Sequence, residues 1–393
     1  MTTLRRMGKL RTLLAFGALF GLLAACSDGG KAGNVATVPP VTEVPVETTI
    51  PATTLPDTTI PDTILDTTPA ETTPAATAWE TVVASADCMC GDGSPFSFFV
   101  RKASPEKVMF FFEGGGACFN SATCDPTNPA YKTDVGSGVG SEGIFEFDNP
   151  LNPFADYSIV YVPYCTGDVH VGNTTHDYGN GVVVNHKGYV NGTNALNKLV
   201  DLFPDTTELV VTGESAGSVP TPLYAGLAAD LLPDARITVL GDGSGAYPDI
   251  PGINAVIGGS WGTMNAVPDW PINADVTVEN WSLPGLYVRA GTHAPDITFA
   301  RHDYAFDQTQ QFFAALAGIP ADNLVSLIDQ NETEIEAGGV TLWSFISPGD
   351  SHTVLGKPGF YTEEVDGTSL MEWVTALVAG DTVADVHCTV CTT

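Results

Sequence analysis

The stretch that decides the fold is Leu209-Val210-Val211-Thr212-Gly213-Glu214-Ser215-Ala216-Gly217. In it, an apolar run is followed within a few residues by a serine that has small residues close by on both sides. This order is typical of a strand that stops at a sharp turn before a helix, with the serine hydroxyl pointing out of the fold. Gly213, Ala216 and Gly217 are small enough for such a turn. The pentapeptide alone is a common pattern, but the strand before it makes Ser215 a candidate nucleophile.

Further apolar runs alternate with longer segments along the chain. Four runs have the pattern of buried parallel strands: 107–112, 159–162, 209–211 and 237–240. Segments such as 191–203 and 224–232 fit crossover helices. This alternation predicts an α/β fold with a central, mostly parallel sheet that helices cover on both faces. Pro220 and Pro222, just after the turn, should delay or distort the helix expected there.

A serine nucleophile requires backbone donors for the oxyanion, and a glycine-rich stretch follows the strand at 107–112. Residues 113–117 read Glu-Gly-Gly-Gly-Ala, and glycines let the backbone approach the reacting carbon. The candidate donors are the N–H groups of Gly115, Gly116 and Ala117, together with that of Ala216 after the nucleophile. The alternatives are a flexible turn or a phosphate loop, but the Lys-Ser/Thr that a phosphate loop requires does not follow.

The base and the acid of such a site are expected after Ser215 in the chain. Four histidines qualify: His293, His302, His352 and His387. His352 lies in a loop of small residues just beyond the strand-like run 341–346, whereas His387 lies among the terminal cysteines and is less suitable. Spacing alone leaves four aspartates as candidate acids: Asp296, Asp303, Asp307 and Asp350.

The first 25 residues have the pattern of an export signal. A positively charged segment precedes a short apolar core, and Leu23-Ala24-Ala25-Cys26 has the form of a bacterial lipobox. The apolar core is about half of the roughly 20 residues that a spanning helix needs. Cleavage before Cys26 and lipidation of its thiol is therefore the prediction, with an uncleaved anchor as the alternative.

The rest of the chain is expected to lie outside the cytoplasm in two parts. Residues 26–78 are dominated by Thr, Pro, Val and Ala, which predicts a disordered stalk. Residues 79–393 are long enough for one large α/β domain. Most of the net charge of −31 lies in this domain, which argues against nucleic acid and polyanionic substrates as partners. The alternative is a solvated surface suited to a saline or acidic habitat.

The cysteines agree with export. Cys118 and Cys124 have the spacing of a local disulfide. Two cysteines lie near each end of the domain, Cys88 and Cys90 at one end and Cys388 and Cys391 at the other. This suggests that disulfides join the two ends, which leaves Cys165 unpaired and buried. Zinc binding by such pairs is the alternative, but the oxidising compartment and the lack of nearby paired histidines argue against it.

Several segments resemble motifs of the pectinacetylesterase family, which also includes the Notum carboxylesterases. The segments resemble, in order, the glycine motif, a second signature, the nucleophile turn, and the segments holding the catalytic aspartate and histidine: 112–125, 162–169, 213–217, 304–308 and 350–352. The resemblance spans most of residues 85–390. It implies an α/β-hydrolase-like fold and a triad of Ser215, Asp307 and His352, with no metal or cofactor.

The resemblance favours Asp307 as the acid, with Asp303 as the alternative. Relatives commonly carry tryptophan where this chain has Ala117, so the acyl pocket is expected to differ in shape. Tyr164 and Asp168 are possible pocket residues, but structural hydrogen bonding is the role that we favour for them.

Together these features predict a surface-tethered serine esterase that removes acetyl groups from a glycan. The acidic domain favours neutral or heavily esterified glycans over de-esterified pectin, which is a polyanion. Three alternatives stay open: an esterase or lipase for longer acyl chains, a peptidase with the same triad, and an inactive glycan-binding module.

Overall fold

The computed structural model describes residues 78–391. Within this part the chain forms the following elements: β1 (Glu80–Val83), β2 (Ser97–Arg101), β3 (Ser104–Phe112), β4 (Tyr157–Val162), β5 (Thr174–Asp177), β6 (Val183–His186), α1 (Gly188–Leu202), β7 (Glu208–Glu214), α2 (Thr221–Leu231), β8 (Arg236–Asp242), α3 (Pro251–Trp261), α4 (Leu283–His293), β9 (Thr298–Tyr304), α5 (Gln308–Leu316), α6 (Leu324–Ala337), β10 (Leu342–Ser347), β11 (Glu364–Val365), β12 (Thr368–Ser369), α7 (Leu370–Ala379) and β13 (Val386–His387).

A nine-stranded sheet runs through this part of the chain in the order β1-β2-β4-β3-β7-β8-β9-β10-β13. The two pairs β1–β2 and β2–β4 are antiparallel, and the other neighbours are parallel. Two short hairpins, β5–β6 and β11–β12, lie outside the sheet. Because parallel strands end at the same edge, the loops after β3, β7, β8, β9 and β10 meet there. The predicted mostly parallel α/β sheet is confirmed.

The two faces of the sheet pack into separate apolar cores. On one face Phe110 and Phe112 of β3 pack in a cluster that includes residues of α1, α2 and α4. On the other face Met109 and Phe111 of the same strand pack with residues of α7. Alternate residues of β3 thus point to opposite sides, and both sides are covered, as the continuous apolar run predicted.

The prolines after Ser215 displace the start of the helix, as expected. A single 3₁₀ turn, Ser215–Gly217, follows β7, and α2 begins only at Thr221 with Pro222 in its first turn. Proline is tolerated there because the N–H groups of a helix's first turn have no partner within the helix.

The disulfide prediction is partly wrong. Three disulfides lie in the described part of the chain: Cys90–Cys165, Cys118–Cys124 and Cys388–Cys391. The local bond is confirmed, but Cys165 is bonded and Cys88 is the free, buried thiol. The two ends of the domain are not joined because β1 and β13 lie at opposite edges of the sheet.

The predicted export signal of residues 1–25, the lipidation site Cys26 and nearly all of the predicted stalk lie outside the described residues. Among residues 78–391, none of the helices has the length and apolar character needed to cross a membrane.

Candidate active site

Ser215 stands on a strained turn at the carboxyl end of β7. Its φ is 56°, in the left-handed region that side chains with a Cβ rarely adopt. Glycines on both sides make the turn possible: a Cβ at Gly213 would lie 2.3 Å from the carbonyl oxygen of Gly217, and one at Gly217 would lie 2.1 Å from that of Phe112. The half-buried serine therefore sits where strand, turn and neighbouring strand touch through backbone atoms alone.

His352 and Asp307 are joined by a hydrogen bond at the same edge of the sheet. His352 Nδ1 lies 2.7 Å from Asp307 Oδ2. Asp307 is fully buried and caps α5, where its Oδ1 accepts the backbone N–H groups of Thr309 and Gln310 at 2.9 Å. The Gln310 side chain also donates to Asp307 Oδ2, at 3.1 Å. These bonds fix the carboxylate that faces the imidazole.

The other ring nitrogen of His352, Nε2, is buried and has no hydrogen-bond partner. His352 and Ser215 line the same cavity, but no hydrogen bond joins them in this structure. Such bonds are often long in enzymes without substrate and shorten in the complex. Nε2 thus has no competing hydrogen bond when a proton donor approaches it.

The segment after His352 is anchored by Asp242 at the end of β8. The Asp242 carboxylate is completely buried, and its Oδ2 accepts the N–H groups of Val354 at 2.7 Å and Leu355 at 2.9 Å. Thr353, between His352 and Val354, has a φ of 62°, which is a costly conformation for a β-branched residue. The anchor holds this strained loop, and with it the imidazole, over the sheet edge.

His302, another candidate base, serves this anchor. Its Nδ1 lies 2.8 Å from Asp242 Oδ1, and its Nε2 lies 3.0 Å from Ser347 Oγ. All three side chains are fully buried. The group therefore has the composition of a triad but no access to substrate.

The remaining candidates lie elsewhere. His293 stacks on Trp270, and His387 contacts Ser344. Asp303 forms a buried ion pair with Arg301, whose Nε lies 2.8 Å from Asp303 Oδ2. Asp296 and Asp350 are exposed, and Asp350 accepts a hydrogen bond from Gln308. None of these contacts joins a candidate histidine to a candidate aspartate.

The glycine loop after β3 approaches the serine closely. A Cβ at Gly114 would lie 2.9 Å from Ser215 Cβ. Gly116 has a φ of 76°, and no backbone hydrogen bond of the described residues uses its N–H or that of Gly115. The N–H of Ala117 already donates to Ala130 at 3.3 Å, so the prediction for that group is corrected. Ala216 lies in the 3₁₀ turn, whose first N–H groups have no partner in the turn.

Two cavities meet at Ser215 and Gly116. One, of about 100 Å³, has a mainly apolar lining that includes Ala117, Val219, Ile257 and Phe313. Ala117, where a tryptophan was expected in relatives, is thus part of its wall. The other, of about 310 Å³, is lined by glycines and polar side chains, and it is called the polar cavity for these side chains: Glu113, Gly114, Gly115, Gly116, Glu214, Ser215, Thr309, His352 and Thr353. A bound ester would straddle the serine between an apolar and a polar compartment.

Sequence reasoning missed the acidic side chains around this polar cavity. Burial and the nearby Asp242 raise the pKa of Glu214 to about 7. Glu113 is paired with Lys132, whose Nζ lies 2.6 Å from its Oε2. Both glutamates lie within the motifs, Glu214 as the last residue of β7 and Glu113 just after β3, and this position at the carboxyl edge of the sheet was the available signal. Asp242 has the same signal as the last residue of β8.

Tyr164 packs against Gly115 of the glycine loop, Asp168 packs against Gly172 and Gly188, and neither residue lines the two cavities. The Asp168 carboxylate is fully buried and accepts the N–H groups of His170 at 3.2 Å and Gly188 at 2.8 Å. Burial raises its pKa to about 6. The Tyr164 hydroxyl accepts the N–H of Val169 at 2.8 Å. These bonds agree with the structural role that the sequence favoured, and the possible pocket role has no support in the lining of either cavity.

One group of described residues has the composition of a metal site, Cys118, Cys124 and His186. The two cysteines form a disulfide, so neither offers a thiolate, and only the histidine is left. The imidazole of His186 already lies 2.8 Å from the carbonyl oxygen of Thr166 and 2.8 Å from the Tyr178 hydroxyl. The group is structural.

Comparison with known proteins bears on the family and the fold. The pectinacetylesterase family model matches residues 72–257. The palmitoleoyl-protein carboxylesterase NOTUM of Schmidtea mediterranea is 30% identical over 150 residues, which are 34% of this chain and 27% of that protein. Pectin acetylesterase 5 of Arabidopsis thaliana is 25% identical over 185 residues, 44% of this chain and 42% of that protein. The matched regions thus span less than half the length of these two relatives.

A solved structure of the Wnt deacylase Notum from Drosophila aligns with a TM-score of 0.57 at 19% identity. The alignment covers 78% of this chain and 95% of that structure, which shows that the fold is shared. The predicted resemblance to the pectinacetylesterase family is therefore confirmed, and the chain has a Notum-like α/β-hydrolase fold.

Proposed function

We propose that the protein is a serine hydrolase of carboxylic esters. The observation that carries this proposal is the 2.7 Å bond between His352 Nδ1 and Asp307 Oδ2, in a histidine that lines the same cavity as Ser215 and whose Nε2 has no hydrogen-bond partner. Asp307 holds the imidazole in the tautomer with its proton on Nδ1, so that Nε2 accepts the serine proton. The family and its named esterase relatives support the same reaction class.

In the proposed reaction Ser215 Oγ attacks the ester carbonyl as its proton moves to His352 Nε2. The N–H groups of Gly115, Gly116 and Ala216 stabilise the oxyanion. The imidazolium then returns the proton to the departing alcohol oxygen, which leaves an acyl ester on Ser215. Water attacks this ester with His352 as base, and the carboxylic acid and free serine are released.

The apolar cavity is proposed to hold the acyl group. A water molecule occupies about 30 Å³ in the liquid, and a methyl group is of similar size. The methyl of an acetyl group therefore fills only part of a cavity of about 100 Å³. The acetyl group predicted from the sequence is thus accommodated, and acyl chains several carbons longer also fit. This favours an esterase with a broader acyl range than acetyl alone.

The polar cavity is proposed to hold the alcohol. Carboxylates and hydroxyls line it, and these groups bond well to the hydroxyls of a sugar. An acylated glycan is therefore the proposed substrate class, in keeping with the predicted extracytoplasmic location and tethering at Cys26. The disulfides of the described domain are consistent with an oxidising compartment.

A panel of nitrophenyl esters with chains of 2 to about 12 carbons, together with a peptide anilide, tests the proposal. The wild type should hydrolyse the esters and ignore the anilide, and Ser215→Ala should abolish turnover. Ser137→Ala, on an exposed loop, is the control. Full ester turnover by Ser215→Ala would contradict the mechanism, and turnover of the anilide would favour the peptidase alternative. A folded wild type that hydrolyses none of them would favour the binding module.

A further inference from the structure

The polar cavity contains one carboxylate whose charge no cation balances directly. Glu113 in its wall is paired with Lys132 at 2.6 Å. None of the ion pairs in the described part of the chain includes Glu214, which lies next to Ser215. Glu214 is partly exposed and lines the cavity together with His352. Any alcohol that occupies the cavity therefore lies near this one carboxyl.

We propose that Glu214 determines leaving-group specificity: it makes the polar cavity a subsite for uncharged, hydroxyl-bearing alcohols and disfavours alcohols that carry a negative charge. The inference rests on the proposed ester hydrolysis, because only then does an alcohol occupy the cavity. It concerns the alcohol alone and is independent of the acyl chain length.

The carboxyl of Glu214, which lines the cavity, is packed against the loop that carries His352. The segment after His352 folds against it: a Cβ at Gly356 would lie 3.2 Å from Glu214 Oε2. From that segment His352, Thr353 and Lys357 act on the carboxyl, and the neighbouring strand contributes Asp242. Lys357 donates to the backbone carbonyl of His352. Its ammonium group attracts the carboxylate from a distance but forms no close ion pair with it.

Other ionisable groups near the carboxyl do not cancel its charge. Tyr161 on β4 interacts with both Glu113 and Glu214, and its burial keeps its pKa well above the usual value, so the phenol is neutral. Asp242 is buried and negative, held ionised by His302 and two backbone N–H groups, although burial alone would raise its pKa. A second negative group in the cavity would therefore meet repulsion.

The selectivity should depend on pH. Burial and the charge of Asp242 raise the pKa of Glu214 to about 7. Above this value the side chain is a carboxylate that repels an anionic alcohol, and below it the side chain is a neutral acid that donates a hydrogen bond. Discrimination against anionic leaving groups should therefore increase as the pH rises through about 7.

A matched substrate pair tests the assignment: acetylated methyl galacturonoside as its free carboxylate, and the same sugar as its uncharged methyl ester. The measured quantity is the ratio of kcat/KM for the uncharged over the anionic sugar, which cancels effects on the chemical step. At pH 8 and low salt we expect a ratio of about tenfold or more for the wild type, because one unit charge acts across a partly hydrated cavity.

Glu214→Gln should bring the ratio close to one, and Glu214→Asp, which keeps the charge, should retain most of it. Glu336→Gln is the control, since it removes an exposed carboxylate on α6, which contributes no residue to the cavity. At pH 6 the wild-type ratio should fall towards that of Glu214→Gln.

Equal ratios in wild type and Glu214→Gln would overturn the assignment, as would a wild-type preference for the anionic sugar. A wild type that hydrolyses nitrophenyl acetate but neither sugar ester would also overturn it. If the folded wild type does not hydrolyse nitrophenyl acetate, the proposed function itself fails and this inference fails with it. The two failures are thus distinguishable.

Discussion

Replacing Asp307 with asparagine should inactivate the enzyme while leaving its shape almost unchanged. Asp307 Oδ1 accepts the N–H groups of Thr309 and Gln310 at 2.9 Å, so an asparagine must place its own oxygen there. Its NH₂ group then replaces Oδ2 and faces His352 Nδ1, where the carboxylate now accepts a bond at 2.7 Å. Two donors cannot face each other, so the ring proton should move to Nε2.

With the proton on Nε2, His352 cannot accept the proton of Ser215. A substitution of this kind in a serine triad lowers kcat on the order of 10⁴-fold, which corresponds to about 5 kcal/mol in the barrier. The new amide also faces the Gln310 side-chain donor, now 3.1 Å from Oδ2. A stability loss of about 1–3 kcal/mol is expected from this contact.

The assay is steady-state hydrolysis of nitrophenyl acetate, with urea unfolding to show that each variant is folded. Asp350→Asn removes an exposed candidate aspartate that bonds to Gln308, and it should stay within about twofold of the wild type. A folded Asp307→Asn protein with kcat within tenfold of the wild type would refute the role of this carboxylate.

Three further outcomes follow from the packing. Gly217→Ala should prevent the serine turn from forming, since its Cβ would lie 2.1 Å from a carbonyl oxygen. Gly259→Ala is the matched control, at an exposed helix position with open space, and it should raise the free energy of unfolding by up to about 1 kcal/mol in urea titrations. Removing the Cys90–Cys165 disulfide, whose cysteines are 75 residues apart, should lower the free energy of unfolding by roughly 4 kcal/mol in the same titration. Removing the Cys388–Cys391 disulfide, with a separation of 3, should lower it by less than half as much. Ala117→Trp should fill the apolar cavity, so that the roughly fourfold gain in kcat/KM per added CH₂ ends at a shorter acyl chain than in the wild type.

The features that sequence predicts well here are local or periodic. The strand at 107–112 is apolar on both faces because helices cover both, and this leaves a continuous run in the sequence. The turn at Ser215 is readable because its glycines are required by contacts with nearby backbone atoms, such as Gly213 with Gly217. The delayed start of α2 follows from Pro220 and Pro222, which lack the N–H group that an earlier helical turn would need.

The choice among the histidines and aspartates depends on contacts across long sequence separations. His352 and Asp307 are 45 residues apart, and Asp242 lies 112 residues before the Val354 N–H group that it accepts. Spacing carries no information about such pairs, so four aspartates stayed open until the resemblance favoured one. The buried group of Asp242, His302 and Ser347 shows the risk, because its residue types match a triad that its burial makes inaccessible.

The prediction of the cysteine pairing was wrong for a related reason. Cysteines near the two ends of a domain pair only if the topology brings the ends together. Here β1 lies at one edge of the sheet and β13 at the other. Cys90, in the loop before β2, pairs with Cys165 in the loop after β4, the strand next to β2. Strand order was not readable from the sequence, and the pairing could not be derived without it.

Covalent labelling of the nucleophile tests the central claim most directly. A fluorophosphonate that forms a stable ester with an activated serine is incubated with the wild type, and the labelled peptide is identified by mass spectrometry. One label per chain is predicted, on Ser215, and labelling should be strongly slowed in His352→Gln because the base is lost. A label on another residue, or undiminished ester hydrolysis after complete labelling of Ser215, would contradict the account.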